Sequence, residues 1–293
     1  MIPEAVMREL RHIEVSTARR MRASRVGPFT SRLRGEGFDF DELQPYRPGD
    51  DVRRIDWNVT ARLDAPFVRR THAERELNMV VAIDVSRSME LGTSHRSKRE
   101  TMMLISASLV FSALASQIST GFLAFSDRVA LSRPPRRTRA AAWAILEQCW
   151  SATAGSGRTA LVPMVRHLSR TLKRMSIVFL VSDFLTDEDL FAGPDLAMLA
   201  ARHDVIAIVP EDAFERELPA GPGYLRLRDL ESGRCAAVSL GTRSRERYAA
   251  AARRHRESLA HAFYSVPMEH VFVPTDGHPV EPLLSLFASR SRR

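Results

Sequence analysis

Short, uninterrupted runs of apolar residues alternate along the chain with longer stretches in which apolar residues recur every three or four positions. The short runs are typical of strands buried on both faces of a sheet, and the longer stretches are typical of helices. The two clearest runs are residues 79–83 and 177–181. Because strands alternate with helices, the pattern predicts an α/β fold with a mainly parallel sheet, helices on both faces and these two runs near its middle.

The remaining elements follow the same alternation. Predicted helices cover residues 3–22, 97–118, 139–150, 160–175, 188–202 and 242–263, with a short helix at the C-terminus. Further predicted strands cover residues 120–125, 128–131, 205–209 and 269–273. A turn signal at Glu231-Ser232-Gly233 lies between the stretches 224–230 and 234–240, which predicts an inserted β-hairpin.

Oxygen-bearing side chains follow both central runs. Asp84, Ser86 and Ser88 come directly after the first run, and Asp183 comes just after the second. Thr159 precedes a helical pattern, so we expect it to be the N-cap of that helix and to keep a hydroxyl available. Because ligands bind at the carboxyl ends of strands in open α/β sheets, we expect these five side chains to meet there.

Three hydroxyls and two carboxylates are ligands for a hard cation. Mg²⁺ takes about six oxygen ligands in near-octahedral geometry and commonly keeps exchangeable positions. We therefore predict a Mg²⁺ site, with Mn²⁺ as the alternative ion, and with one position open to a ligand from outside. The alternative interpretation is that Ser86 and Ser88 only cap the next helix while Asp84 lies in a turn.

Length and charge narrow the class of protein. The 293 residues, 44% of them hydrophobic, are enough for one elaborated α/β domain. A formal net charge of +8 favours acidic partners, namely nucleic acid, anionic lipid or an acidic protein surface. The basic arm around Arg25, Arg32 and Arg34 has one aromatic residue, Phe29, and not the series of interleaved aromatic residues of a stacking platform, so we expect it to face solvent or a partner and expect no nucleic acid.

No segment resembles a signal peptide, and the most apolar helix, at residues 102–114, is too short to span a bilayer. Cys149 and Cys235 have no ligand-like spacing and are predicted to be free thiols. These features predict a cytoplasmic protein.

A charged segment follows the basic arm. Pro48-Gly49 predicts a type II turn. Opposite charges then alternate around Val52, Ile55 and Trp57, at Asp50, Asp51, Arg53, Arg54, Asp56 and Arg62. The segment is either an ion-pair cluster that braces the main domain or a docking surface. We predict an N-terminal extension over residues 1–75 that packs on a main domain at 76–293, with the hairpin inserted within 211–241.

Signals for an enzyme are weak. The stretch SATAGSGRT has Ala152 and Arg158 where a phosphate-binding loop needs Gly and Lys, and the histidines are scattered. His203 is expected to end a helix. The chain offers no acid, base and nucleophile set, so we predict that it is not an enzyme.

Five long motifs carry a specific resemblance: GEGFDFDELQPYRPGDDVRRIDWNVTAR, ERELNMVVAIDVSRSMELG, VSDFL, RHDVIAIV and DAFERELP. They resemble a bacterial family known as domain-of-unknown-function family fifty-eight, which has a von Willebrand factor A-like fold. The resemblance implies that Asp84, Ser86, Ser88, Thr159 and Asp183 form a metal-ion-dependent adhesion site. It also implies a MoxR-type AAA+ ATPase, or a client that this ATPase remodels, as the partner.

Three hypotheses for function follow. The first is a non-enzymatic interaction module in which an Asp or Glu of a partner protein completes the coordination of Mg²⁺. The second is a Mg²⁺-dependent hydrolase that uses the same oxygen cluster. The third is a nucleic-acid-binding protein, for which net charge is the only support.

Overall fold

The computed structural model describes residues 2–23, 42–47, 50, 52, 55–63, 65–70, 77–152, 159–228, 230 and 233–290. Contacts divide the chain into one unit, Met1–Arg32 with Leu77–Arg293, and a second unit, Leu33–Glu76. The predicted domain boundaries at 75/76 and 211–241 stay a prediction.

Helices and strands alternate through most of the chain. The helices are α1 (Glu4–Ala23), α2 (Trp57–Leu63), α3 (Lys98–Ala115), α4 (Arg139–Ser151), α5 (Leu161–Thr171), α6 (Pro194–Arg202), α7 (Ala213–Arg216), α8 (Thr242–Tyr264) and α9 (Glu281–Arg290). The strands are β1 (Glu42–Pro45), β2 (Phe67–Arg70), β3 (Asn78–Asp84), β4 (Ser119–Phe125), β5 (Val129–Arg136), β6 (Ser176–Val181), β7 (Asp204–Glu211), β8 (Tyr224–Arg228), β9 (Cys235–Ser239) and β10 (Glu269–Pro274). In the described ranges, no helix is both long and apolar enough to cross a membrane.

The main sheet has the strand order β10-β7-β6-β3-β4-β5. Every neighbouring pair is parallel except β4 and β5, which are antiparallel at one edge. The strands that contain the two clearest apolar runs, β3 and β6, are adjacent and lie in the middle. The predicted α/β fold with a mainly parallel sheet is confirmed.

Helices cover both faces of this sheet, which explains why the central strands are apolar throughout. Met79, Val81 and Ile83 of β3 join a core with α1, α3, α4 and α9. Val80 and Ala82 face the opposite way, into a core with α5, α6 and α8. A fully buried Val, Ile or Leu contributes about 1.5–3 kcal/mol relative to an exposed one, so both cores fix the register of β3.

The start of α3 is held by a capping box. The Glu100 backbone N–H donates to Ser97 Oγ at 3.2 Å, and the Ser97 N–H donates to Glu100 Oε2 at 2.8 Å. A Cβ on Gly92 would lie 2.8 Å from the Ser97 Cα, so only glycine allows this close approach. These contacts fix Lys98 as the first residue of α3.

Three predicted helices are shorter than expected. The helix predicted at 97–118 is α3, which begins at Lys98 and ends at Ala115. The helix predicted at 160–175 is α5, which begins at Leu161 and ends at Thr171. The helix predicted at 188–202 is α6, which begins only at Pro194, a residue whose fixed φ suits the first turn. The preceding segment is irregular because Glu188 is used elsewhere: its Oε2 accepts the Leu161 N–H at 2.6 Å.

The predicted hairpin is present as a separate two-stranded antiparallel sheet. Its strands are β8 and β9, with Tyr224 opposite Ser239 and Arg228 opposite Cys235. Residues 229, 231 and 232 lie outside the described residues. Both cysteines are free, as predicted.

The second unit contains β1, β2 and α2. β1 and β2 are antiparallel, and the Val59 N–H donates to Asp56 Oδ1 at 3.2 Å at the start of α2. Trp57 is 66% exposed. The predicted turn at Pro48-Gly49, together with Asp51, Arg53 and Arg54, lies outside the described residues. Whether this segment is a structural ion-pair cluster or a docking surface stays open as a prediction.

A buried histidine predicts a pH dependence of stability. His203 ends α6, as predicted, and within the described part of the chain neither ring nitrogen has a hydrogen-bond partner. Burial, with a smaller contribution from Arg202, lowers the pKa of His203. The unfolded chain therefore binds more protons than the folded protein below about pH 6.5, and the free energy of unfolding should fall as pH drops through that value.

The measurement is urea unfolding of the wild type and His203→Leu between pH 7.5 and 5. We expect the difference in unfolding free energy between the two proteins to shift in favour of the variant as pH falls, by about 1.4 kcal/mol per unit of pKa difference. A difference that does not change with pH would contradict the prediction.

Candidate metal centre

Asp84 is the centre of the predicted site. It is the last residue of β3 and is fully buried. Its Oδ1 accepts the Ser86 N–H at 2.8 Å, and its Oδ2 accepts the hydroxyls of Ser182 at 2.6 Å and Thr159 at 3.4 Å. The carboxylate is therefore fixed by groups from three separate segments, at the carboxyl end of the central strand.

Ser86 and Ser88 form the wall beside this carboxylate. They lie at a short 3₁₀ turn, Arg87–Glu90, and their hydroxyl oxygens are 3.0 Å apart. Met89 anchors the turn because its side chain is buried in the core. The two hydroxyls consequently lie next to each other and next to Asp84, as the spacing of the motif predicts.

Thr159 reaches the site, but the prediction that it caps α5 is wrong. Ala160 is at the N-cap position, and its side chain makes no capping hydrogen bond. The carboxylate of Glu188 replaces the cap by accepting the N–H groups of Leu161 at 2.6 Å and Val162 at 2.8 Å. The Thr159 hydroxyl points to Asp84 instead, and the Thr159 carbonyl accepts the Thr186 hydroxyl at 2.9 Å.

Asp183 lies just beyond the end of β6 and is buried. Its Oδ1 accepts the Leu185 N–H at 3.1 Å, and its Oδ2 accepts the Lys98 ammonium at 2.9 Å. Each carboxylate oxygen thus already has one protein donor.

The turn after Asp183 contains backbone strain. Phe184 has a φ of 56°, in the left-handed region, which costs about 1–2 kcal/mol for a residue with a Cβ. Two contacts hold it there: its N–H donates to Ser182 Oγ at 3.0 Å, and its ring packs edge-to-face against Phe263 at 5.0 Å. This conformation lets Ser182 contact Asp84 while Asp183 contacts Lys98.

Lys98 is a member of the site that the sequence analysis missed. Its side chain is fully buried, and the ammonium contacts both Asp183 and Glu215. It occurs in a charged stretch, HRSKRE, that has the composition of an exposed loop. The available signal was the capping box of Ser97 and Glu100, which fixes Lys98 at the first position of the most apolar helix.

Burial and charge shift the protonation of the site. Burial and, after it, the negative charge of Asp183 raise the pKa of Asp84 to about 7, although hydrogen bonds from Ser182 and Ser86 act in the opposite direction. Burial would lower the pKa of Lys98, but Asp183 and Glu215 outweigh it and raise this pKa above its ordinary value. The site therefore holds carboxylates that gain from a nearby cation.

All five predicted residues lie at the same edge of the sheet, and four of them are linked: Asp84 to Thr159 and Ser86, and Ser86 to Ser88. The donors are hydroxyl and carboxylate oxygens, which is the chemistry of a Mg²⁺ or Mn²⁺ site. Among the described residues, no group of three or more His, Cys, Asp or Glu forms a metal cluster, so hydroxyls must supply much of any coordination. Metal binding by these residues stays a prediction.

The fold and the site together define a class: an α/β protein with a mainly parallel sheet and a hydroxyl-rich acidic crevice at the carboxyl edge of its central strands. Within that class, the chain belongs to the family described as "Protein of unknown function DUF58", whose model matches residues 42–258. The family recognised from the motifs is confirmed.

Two curated relatives have the same similarity to the chain. They are "Uncharacterized protein Rv1480" of Mycobacterium tuberculosis and "Uncharacterized protein Mb1516" of Mycobacterium bovis. Each is 32% identical over 292 residues, which covers 97% of this chain and 89% of the relative.

Similar solved structures include the conserved hypothetical protein BatB from Bacteroides thetaiotaomicron, at a TM-score of 0.47 and 15% identity, covering 74% of this chain and 98% of that one. They also include the SpRpn10 VWA domain, at a TM-score of 0.42 and 12% identity, covering 73% of this chain and 94% of that one.

Proposed function

We propose that this protein is a non-enzymatic, Mg²⁺-dependent protein–protein interaction module, with Mn²⁺ as the alternative ion. Asp84, Ser86, Ser88 and Thr159 would hold the ion, and Asp183 would act beside them, some of these ligands through water. The bound ion supplies an electrophilic site, and an Asp or Glu of the partner completes its coordination.

The observation that carries the proposal is the balance of charge at this oxygen cluster. Hydroxyls outnumber carboxylates, and one of the two carboxylates, Asp183, is already paired with the buried ammonium of Lys98. An ion held here would keep much of its positive charge, because only Asp84 remains without a cationic partner among the described groups of the cluster. Such an ion attracts a further anionic oxygen.

The geometry gives less support to a hydrolase. General acid–base catalysis needs a group within hydrogen-bond reach of the reacting atoms. Around the cluster, the described hydrogen-bond partners of Asp84 are hydroxyls and a backbone N–H, and those of Asp183 are an ammonium and a backbone N–H. These groups orient the carboxylates and leave neither of them paired with a histidine or cysteine.

The proposed partner is a MoxR-type AAA+ ATPase or a client protein that the ATPase remodels. The motif resemblance supports this choice, and the exposed Arg87 beside the site would favour an acidic partner surface, chiefly through the association rate.

The test is biolayer interferometry of the immobilised chain against the purified MoxR-type AAA+ ATPase from the same organism. Because P-loop ATPases themselves use Mg²⁺, the decisive comparisons keep Mg²⁺ constant and change only this chain. Wild-type binding that is lost in Asp84→Asn supports the proposal. Binding that survives both Asp84→Asn and chelation would show that the interface lies elsewhere.

Loss of single hydroxyls gives a graded prediction. Ser86→Ala, Ser88→Ala and Thr159→Ala should each weaken partner binding by about tenfold, since each removes an oxygen ligand worth about 1.4 kcal/mol. Stability should change little. Ser108→Ala is the matched control, because Ser108 is a buried serine whose hydroxyl donates to the Leu104 carbonyl within α3 at 2.8 Å. If the three site variants bind the partner as tightly as Ser108→Ala does, the prediction is contradicted.

A further inference from the structure

One basic stretch of the chain is not used by the proposed function. Residues 224–258 contain nine arginines and four acidic residues, a net charge of +5. This stretch forms the hairpin of β8 and β9 and most of α8. The Leu240 N–H donates to the Gly223 carbonyl at 2.9 Å, which closes the base of the hairpin, and the N-cap of α8, Gly241, follows directly.

One face of the hairpin presents an aromatic ring and two guanidinium groups. Exposure alternates along β8, so that Tyr224, Arg226 and Arg228 are exposed while the two leucines between them are half-buried. Residues two apart in a strand point to the same face, about 6.6 Å from one another. Tyr224 is 79% exposed, so its ring is accessible to a ligand.

The neighbouring strand leaves space beside these side chains. Arg226 is opposite Ala237, and Arg228 is opposite Cys235. Both partners are small and exposed. A flat ligand can therefore approach the ring and the two guanidinium groups without displacing other side chains.

A second row of arginines follows on α8. Arg243, Arg247 and Arg254 are exposed and are separated by four and seven residues, which places them on one side of the helix. The buried residues of this helix, Leu259 and Phe263, are near its other end.

The arginines of α8 divide into two groups. Arg256 pairs with Glu211 at 3.1 Å and stacks on Phe272, and Arg245 donates to the Leu218 carbonyl, so both hold the fold together. In the part of the chain that the structure describes, no ion pair joins the exposed arginines of β8 or of the α8 row to an acidic side chain. Their charge is available to a ligand.

We propose that the exposed face of β8 and the arginine row of α8 form a binding surface for single-stranded nucleic acid. The guanidinium groups would contact phosphates, and Tyr224 would stack on a base, which is how sequence-tolerant single-strand sites work. An acidic protein surface would satisfy the arginines but gives the exposed ring no role. The expectation of no nucleic acid rested on the N-terminal arm, which has one phenylalanine, Phe29, among its arginines, whereas the hairpin has a tyrosine whose ring is exposed.

The test is fluorescence anisotropy of the full chain with labelled oligothymidine and oligouridine of about 20 nucleotides, in about 100 mM salt. We expect Tyr224→Leu to weaken binding at least fivefold and Tyr224→Phe to leave it near wild type, because stacking needs a ring. Arg226→Ala with Arg228→Ala should lower the slope of log affinity against log salt by about 1.4, or about 0.7 for each lost phosphate contact.

Two controls test whether the binding depends on this surface. Arg166→Ala removes an exposed arginine that pairs with Asp195 at 3.0 Å, and it should leave the affinity unchanged. Chelation of divalent ions should also have no effect, so the result does not depend on the proposed metal site. No binding by wild type, equal binding to duplex DNA, or displacement of the oligonucleotide by polyglutamate at equal charge concentration would each overturn the proposal. The last outcome would assign the surface to an acidic protein.

Discussion

Millimolar Mg²⁺ is expected to raise the midpoint of thermal unfolding of the wild-type protein by about 5 °C at pH 8. This pH is above the pKa of Asp84, which burial and the charge of Asp183 together raise to about 7, so the carboxylate is ionised and repelled by Asp183. A ligand that binds only the folded state at about 100 times its Kd adds about 2.7 kcal/mol, and each kcal/mol is worth about 2 °C at this chain length.

Asp84→Asn should abolish this response. The amide keeps the size of the side chain and one acceptor oxygen, and it removes a buried charge, so the metal-free midpoint should match or exceed that of wild type. Asp84→Ala should also lose the response, but it leaves the Ser182 hydroxyl and the Ser86 N–H without their acceptor. Differential scanning fluorimetry with and without Mg²⁺ measures both effects.

A second buried carboxylate provides the control. Asp204 is the first residue of β7, so it lies at the amino ends of the parallel strands, whereas Asp84 lies at their carboxyl ends. It pairs with the buried Arg290. Asp204→Asn should lower the midpoint, because breaking a buried pair costs about 3–5 kcal/mol, and should keep the Mg²⁺ response. An unchanged wild-type midpoint across millimolar Mg²⁺, or a response retained by Asp84→Asn, would rule out the predicted site.

Local sequence pattern was sufficient for the central sheet. Residues 79–83 and 177–181 are apolar at every position, and helices on both faces of a parallel sheet are the arrangement that buries both sides of such strands. The polar residues that follow them were then fixed at the carboxyl edge by topology alone. Topology does not account for Thr159, which follows neither run: its hydroxyl donates to Asp84, although the helix cap from which it was chosen is formed by Glu188.

Contacts between distant segments were the part that local pattern did not reveal. Glu188 replaces Thr159 as the cap of α5 across a separation of 27 residues, and Lys98 reaches Asp183 across 85 and Glu215 across 117. A helix N-terminus accepts any suitable oxygen, so propensity favoured the adjacent threonine. A lysine in a charged stretch has the composition of a surface residue, and only the packing of α3 shows that it is buried.

Lys98→Met is expected to tighten Mg²⁺ binding by tenfold or more and to weaken partner binding at the same time. Lys98 lies among three carboxylates: it contacts Asp183 and Glu215, and Asp183 interacts with Asp84. A bound dication brings the formal charge of this group to zero, and removal of the ammonium makes it −1. At an effective dielectric constant of about 20, a unit charge at about 6 Å interacts with a dication by about 5.5 kcal/mol and with a partner carboxylate by about 3 kcal/mol. Removal of the ammonium therefore favours the metal ion and disfavours an acidic partner.

Glu215→Gln changes the charge in the other direction, so it should weaken Mg²⁺ binding and strengthen partner binding. The double variant Lys98→Met with Glu215→Gln restores the formal charge and should return both affinities toward wild type. It also avoids leaving Glu215 as a half-buried carboxylate without its cation, which protects the comparison if the single lysine variant unfolds.

Isothermal titration with MgCl₂ gives the metal affinities of the four proteins, and interferometry at saturating Mg²⁺ gives their partner affinities. Opposite movement of the two affinities is the expected result, because the same ammonium repels the ion and attracts the partner. If the variants change both affinities in the same direction, Lys98 acts through the structure of the site. If Mg²⁺ binds wild type and Lys98→Met with the same affinity, the ion lies too far from the lysine for Asp183 to be one of its ligands.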